Sequence, residues 1–336
     1  MAVGIRDVAE HAKVSAGTVS KFLNTPERVA PGTAKRVREA IEELGYVRND
    51  AARQLRAGRS RTIGLLAFDI ANPFFIDLAH GVERQATKHG LSVLLGNSDE
   101  DEERESAYLN LFEEQRVHGV LVSPIGSIDK RIERFRRSGI PVVLVDKQGD
   151  PSLSPSVSID DVAGGYMAAA HLVSRKRTRI AFVGGPSGLR QFDDRLAGAL
   201  QAVADHPGVS LEVIQVRNRD VEEGRKVGEA LLMRPPRDRP DGVFAMNDRL
   251  AFGLLQTVVA EGSVRVPEEM AVIGFDDIEF AAAAVVPLSS IRQPRDEFAE
   301  IAVGLLVDED LSVEVDEYPQ VVLEPELVVR ASTQAR

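Results

Sequence analysis

Apolar residues recur at helical period over roughly the first 45 positions and in short unbroken runs through most of the remaining chain. Ile5, Val8, Ala9 and Ala12 fall on one helical face, at i, i+3, i+4 and i+7. Val19, Phe22 and Leu23 share a face of a second helix starting near Ser15, whose hydroxyl suits an N-cap. A third helix over 33–44 lines up Val37, Ala40, Ile41 and Leu44. Only two or three residues separate the first two helices, which leaves room for a tight corner and nothing more. That spacing predicts a helix-turn-helix, the motif whose second helix enters the DNA major groove.

From Thr62 the period changes. Residues 62–68 form an unbroken apolar run of strand length, and similar runs recur at 91–95, 120–122, 142–145, 180–183, 243–245 and 271–273. Such runs suit strands buried on both faces of a parallel sheet. Helical patterns separate most of them; one opens at Asn72-Pro73 and carries Phe75, Leu78, Ala79, Val82 and Ala86 at helical spacing. The alternation predicts an α/β body of doubly wound parallel sheets. It is too long for one core, and the loop Gly149-Asp150-Pro151-Ser152 divides it into two lobes, roughly 62–160 and 161–290.

Composition sharpens this division. The 336 residues carry a net charge of −11, which would argue against a polyanionic partner. Residues 1–60, however, hold 11 Lys and Arg against 7 Asp and Glu, a net of +4, and the remainder is −15. A basic head on an acidic body suits a nucleic-acid-binding module joined to something else. The absence of cysteine excludes disulfides and thiolate metal sites. No run of 18 apolar residues predicts a membrane span, and no signal peptide is evident, so a cytoplasmic protein is expected.

The order D-V-A-x-x-A-x-V-S-x-x-T-V-S over 7–20, then L-G-Y over 44–46, then N-x-x-A-R-x-L-x-x-G over 49–58 resembles the lactose/galactose repressor family of bacterial transcription regulators. The resemblance covers nearly the whole chain. It implies a helix-turn-helix domain at 1–47, a hinge helix and linker at 48–61, and an effector-binding and dimerisation domain at 62–336. It also implies that the tail crosses between two periplasmic-binding-protein-like lobes, 62–160 with 291–320 and 161–290 with 321–333, with a closing strand at 327–332. Ser15, Ala16, Gly17, Thr18, Ser20, Lys21 and Asn24 are the expected DNA-facing residues of the head. Asn49, Ala52, Arg53 and Leu55 are those of the hinge, with Leu55 as a minor-groove wedge. Three positions depart from the family pattern: Lys13 replaces the usual turn glycine, Arg48 replaces a proline, and Gly17 sits inside the recognition helix.

Enzyme motifs are missing: there is no G-x-G-x-x-G, P-loop, H-E-x-x-H or G-x-S-x-G, and the six histidines lack metal-ligand spacing. No catalytic residue, metal or cofactor is expected. The informative polar groups sit at strand ends. Asp146 follows 142–145, Asn247-Asp248 follows 243–246, and Asp276-Asp277 follows 273–275, with Arg195 early in a helix. Carboxylates, an amide and a guanidinium converging on a cleft would pair with vicinal hydroxyls. The resemblance implies Phe74, Asp146, Arg195, Asn247 and Asp276 as effector contacts, while Asp248 and Asp277 read better as helix caps. Arg219 stands where many members carry an aromatic that stacks on the ligand. A neutral sugar or polyol is the default effector, and Arg219 as a second cation beside Arg195 opens the alternative of a sugar acid or sugar phosphate. The expected protein is a homodimeric repressor of a carbohydrate-utilisation operon, binding a pseudo-palindromic operator under control of a sugar, polyol or sugar derivative, with no membrane partner. The alternative is a two-lobed sugar-binding protein without a transcriptional role.

Overall fold

The structure, a computed structural model, describes residues 3–46, 60–308 and 316–334. The chain divides into two units, 1–60 and 61–336. The hinge residues Asn49, Ala52, Arg53 and Leu55 lie outside the described residues.

The head holds α1 (Ile5–His11), α2 (Ala16–Asn24) and α3 (Pro31–Leu44). Val8, Ala9, Ala12, Val19, Val37 and Ala40 are buried together, and Phe22, Leu23, Ile41 and Leu44 pack at the edge of this core. These are the helical-period positions of the sequence. The corner between α1 and α2 turns on Lys13 at φ 53°, which brings the Val14 N–H to the Ala9 carbonyl at 2.9 Å. A side chain in this left-handed conformation costs about 1–2 kcal/mol that glycine would avoid. Ser15 caps α2, accepting from the Thr18 N–H at 3.1 Å. The helix α3 starts two residues earlier than the pattern suggests, at Pro31, whose missing N–H is no loss in a first turn. It ends at Gly45 in the left-handed conformation.

The body contains two six-stranded sheets. In the first lobe β1 (Thr62–Ala67), β2 (Ser92–Asn97), β3 (Val120–Val122), β4 (Val142–Val145) and β5 (Ser156–Ile159) alternate with α4 (Pro73–Lys88), α5 (Glu102–Glu114) and α6 (Asp129–Arg137). In the second, α7 (Asp161–Ser174) leads to β6 (Arg179–Gly184), α8 (Arg190–Ala204), β7 (Ser210–Gln215), α9 (Val221–Met233), β8 (Gly242–Ala245), α10 (Asp248–Glu261), β9 (Ala271–Asp276), the short α11 (Phe280–Ala283) and β10 (Ser289–Arg292). The tail adds α12 (Arg295–Val307), β11 (Gln320–Leu323) and β12 (Glu326–Val328). Strand order is β11-β5-β4-β3-β1-β2 in one sheet and β12-β10-β9-β8-β6-β7 in the other. Among the described residues all strand pairings are parallel except β10 with β12.

The chain crosses between lobes after β5, after β10 and after β11. Two boundaries differ from those expected. Residues 289–292 pair with 273–276 of β9, so they belong wholly to the second sheet. Gln320–Leu323 pairs with β5, which carries the first lobe's share of the tail on to Leu323. Between them α12 buries Phe298, Ala299, Ala302, Val303 and Leu306 in the first lobe's core. The closing strand is also shorter than 327–332, ending at Val328.

Candidate functional site

The strand ends face a cleft between the lobes, as the topology of open α/β sheets requires. A small cavity of about 50 Å³ there is lined by Phe68, Asp69, Asn72, Phe74 and Phe75 from the first lobe, with Asp146 beyond β4. The second lobe contributes Leu189, Gln191, Arg195, Arg219, Met246, Asn247 and Asp276, and Gln293 lies at a crossing. All six residues expected to contact effector therefore line one cavity.

Close helix packing sets the position of Arg195. A Cβ on Gly165 of α7 would lie 2.1 Å from the Arg195 carbonyl oxygen of α8, and one on Gly198 2.0 Å from the Val162 carbonyl. Only glycine lets these two backbones touch. Their contact brings Asp161, at the start of α7, against Arg195: Nε donates to Asp161 Oδ1 at 2.7 Å. The guanidinium also donates to the Met246 carbonyl at 2.6 Å and lies 3.5 Å from the centre of the Phe275 ring. Arg195 and Asp161 are both buried. Burial works against the guanidinium's charge, but Asp161, Asp276 and Asp146 outweigh it.

Two carboxylates sit in backbone conformations that L-residues avoid, Asp146 at φ 59° and Asp276 at φ 101°. Such strain clusters at ligand sites, where the surrounding structure enforces it. Asp276 accepts from Asn72 Nδ2 at 2.9 Å and from Gln293 Nε2 at 2.8 Å, and burial raises its pKa. Asp146 accepts from Gln191 Nε2 at 3.0 Å, while its Oδ1 is buried without a partner, as is Gln293 Oε1. Burial, and then the negative charge of Asp161, push the Asp146 carboxyl up to about 7. Asn247 caps α10 through its Oδ1 and donates from Nδ2 to the Arg219 carbonyl at 3.0 Å. Phe74 is fully buried, edge-on to Phe75 with ring centres 5.1 Å apart.

Arg219 reaches the cavity, but not as an open cation. Its guanidinium pairs with Glu100 of the first lobe and donates to the Gly185 carbonyl at 3.1 Å. The expectation of a second available cation beside Arg195 is therefore not met, because a carboxylate already occupies it. Asp248 and Asp277 are structural but, contrary to expectation, cap no helix, since Asn247 and Glu279 hold those positions: Asp248 accepts from the Ser290 hydroxyl and the Ile278 N–H, and Asp277 holds Arg292 and Arg330. Sequence reasoning misses Asn72, Glu100, Asp161, Gln191 and Gln293. Asn72, where a helix is expected to open, caps that helix by accepting from the Phe74 N–H; the amide of the same side chain crosses to Asp276.

On the head, Lys21 is exposed and Ser20 half-exposed on α2. The Ser15 and Thr18 hydroxyls lie 2.9 Å apart and serve each other as well as the cap. The Asn24 amide turns back to the Ser20 carbonyl at 2.8 Å. Ala16 departs from the expected DNA-facing set, since it packs on the head's core. A Cβ on Gly17 would meet only Ser15 Oγ at 3.6 Å, so packing does not require glycine there. Among the described residues no cluster has the make-up of a metal site, and no helix is long and apolar enough to cross a membrane.

Comparison with known proteins agrees with this geometry. Residues 4–49 match bacterial regulatory proteins of the lacI family, and residues 169–333 match a periplasmic binding protein-like domain. The HTH-type transcriptional repressor PurR of Aliivibrio fischeri (strain MJ11) is 33% identical over 335 residues, 98% of this chain and 97% of the relative. The ribose operon repressor of Halalkalibacterium halodurans is 34% identical over 329 residues, 98% of this chain and 96% of the relative. A LacI family transcriptional regulator from Enterococcus faecium, solved with bound ribose, is 29% identical with a TM-score of 0.72, covering 81% of this chain and 98% of that one. A DNA-binding head, a ligand cleft at the strand ends and relatives matched over their whole length lead to one conclusion: the chain belongs to the lacI family of bacterial transcription regulators, ligand-responsive proteins that bind DNA.

Proposed function

We propose that this protein represses a carbohydrate-utilisation operon and that its effector is a small neutral sugar of about pentose size. The observation that carries this is the pair of buried, unpartnered acceptors in the cleft, Asp146 Oδ1 and Gln293 Oε1. A buried acceptor without a donor costs about 1–3 kcal/mol, and sugar hydroxyls donate well to both. Arg195 supplies N–H groups to ring and hydroxyl oxygens from the opposite side, and Phe74, Phe75 and Phe68 offer an apolar wall to the C–H face of a sugar. The ribose-bound relative is consistent with this choice. The anionic alternative loses its support once Glu100 takes the charge of Arg219.

The protein acts as a homodimer on a pseudo-palindromic operator. A groove of about 650 Å³ lined by Val221, Phe252, Leu255, Val259, Phe280 and Val285, with Phe280 and Val285 exposed, suits burial against a second copy. Two heads on a two-fold axis read two half-sites, through Lys21, Ser20 and the close approach allowed by Gly17. From the sequence alone, Leu55 is proposed as the hinge's minor-groove wedge, with Asn49, Ala52 and Arg53 as further DNA contacts. The test is a gel shift on the promoter region of the protein's own operon with a panel of sugars. One sugar releasing or strengthening the complex in a Kd-limited way supports the reading. A complex unaffected by any neutral sugar but altered by a sugar phosphate or nucleobase would overturn it.

A further inference from the structure

We propose that Glu100 determines the charge of the effector, by crossing the mouth of the cleft to neutralise Arg219 and latch the lobes together. The inference rests on the sugar-binding reading above. Glu100 follows β2 in the first lobe, at φ 60°, and Arg219 precedes α9 in the second. Their ion pair spans the lobes, with the Arg219 side chain only 10% exposed. The guanidinium is held from below as well, by the Gly185 carbonyl and over the Phe68 ring with its Cζ 5.7 Å from the ring centre. Phe68 and Arg219 both line the cavity, so this strap forms one of its walls.

A second ion pair crosses nearby, Arg249 to Asp69 at 3.0 Å. The cavity is lined by Asp69, Asp146 and Asp276 against Arg195 and Arg219, an excess of carboxylate that opposes an anionic ligand. A cavity of about 50 Å³ holds only a few waters, so a sugar enters when the lobes part and both ion pairs break. The Arg219–Glu100 pair therefore does two things. It favours the closed arrangement, and it withdraws a cavity-lining cation that would attract a phosphate. Removing the carboxylate while keeping its shape should undo both.

The experiment measures calorimetric binding of D-ribose and D-ribose 5-phosphate to the full chain, its Glu100→Gln variant and the Glu100→Gln/Arg219→Met double variant. Lobe separation is followed without any sugar by spin labels at Glu114→Cys and Glu229→Cys, exposed positions of a chain that has no cysteine of its own. Glu100→Gln should shift the ratio of the two affinities at least tenfold toward the phosphate, and Arg219→Met should abolish that gain. The label distance should lengthen in Glu100→Gln. An unchanged affinity ratio or an unchanged distance overturns the proposal. Should the parent chain bind neither sugar, the sugar reading fails, and the distance measurement, which needs no ligand, still decides the latch.

Discussion

The head and the cleft both recognise a partner, and they do so with opposite burial. On the head, Lys21 is exposed to water, and the Ser15 and Thr18 hydroxyls serve a helix cap. In the cleft, Arg195, Asp161, Asp146 and Asp276 are buried ionisable groups, Arg195 and Asp276 held by two hydrogen bonds each and Asp146 and Asp276 in strained backbone. A surface that meets a polyanion needs no internal fixing, since the phosphates supply the field. A cleft that must distinguish one small molecule from another needs groups already in place before binding, and buried charge requires a partner for every member. Removing one partner of a buried pair should therefore cost the body stability, and mutation of exposed residues on the head only DNA binding.

The sharpest way to break this contrast is Asp161→Ala. It strands the Arg195 guanidinium in the second lobe, and loss of one partner of a buried pair costs about 3–5 kcal/mol. Urea unfolding of the body should shift by that amount while amide signals of the head stay put; a shift below about 1 kcal/mol, typical of surface pairs, would remove the contrast. On the head, Lys21→Ala should leave stability unchanged and reduce discrimination at one base position by about 1–3 kcal/mol. Equal loss on operator and random DNA would make Lys21 a phosphate contact only.

Acidity gives a smaller, reversible effect. A sugar hydroxyl donating to Asp146 prefers the carboxylate, and the free carboxyl is pushed up to about 7, so binding is weakened by protonation. Affinity should fall about tenfold from pH 8 to pH 6 by proton linkage, and Asp146→Asn should flatten the curve. The same raised pKa gives the opposite sign in folding: its stability contribution is full below the unfolded carboxyl's range and is lost as pH rises through about 7. The smallest effect concerns Gly17→Ala, which should stabilise the head by about 0.5–1 kcal/mol through helix propensity while weakening operator binding. Unchanged operator affinity would show that no close approach happens at that position.

Much of this organisation is legible in the sequence because burial and periodicity coincide there. The head's three helices and the strands with continuous Val, Ile and Leu runs are such cases. The strands β5 and β10 are not legible, since Ser156, Ser158, Ser289 and Ser290 are buried and break the apolar run. The Ser156 and Ser290 hydroxyls find partners, Gln320 and Asp248, that are distant in sequence. The strand β7 is a sheet edge with its residues half in water, and so lacks the signal of a buried strand. Among site residues, Arg195, Asn247 and Asp276 are legible from their places in motifs. Asp161, Gln191, Gln293 and Glu100 are not, because each is defined by a partner on another element. Arg219 reads as an open cation for the same reason: nothing near it in the sequence announces Glu100.

The central claim is that a ligand in the cleft controls DNA binding by the head. Its most direct test is operator binding by Asp276→Ala, measured by fluorescence anisotropy with and without the sugar that shifts operator binding by the parent chain. The account predicts operator affinity within about twofold of the parent chain, a difference of roughly 0.4 kcal/mol, with no response to the sugar at concentrations that fully shift the parent. A variant that still responds to that sugar like the parent would contradict the account.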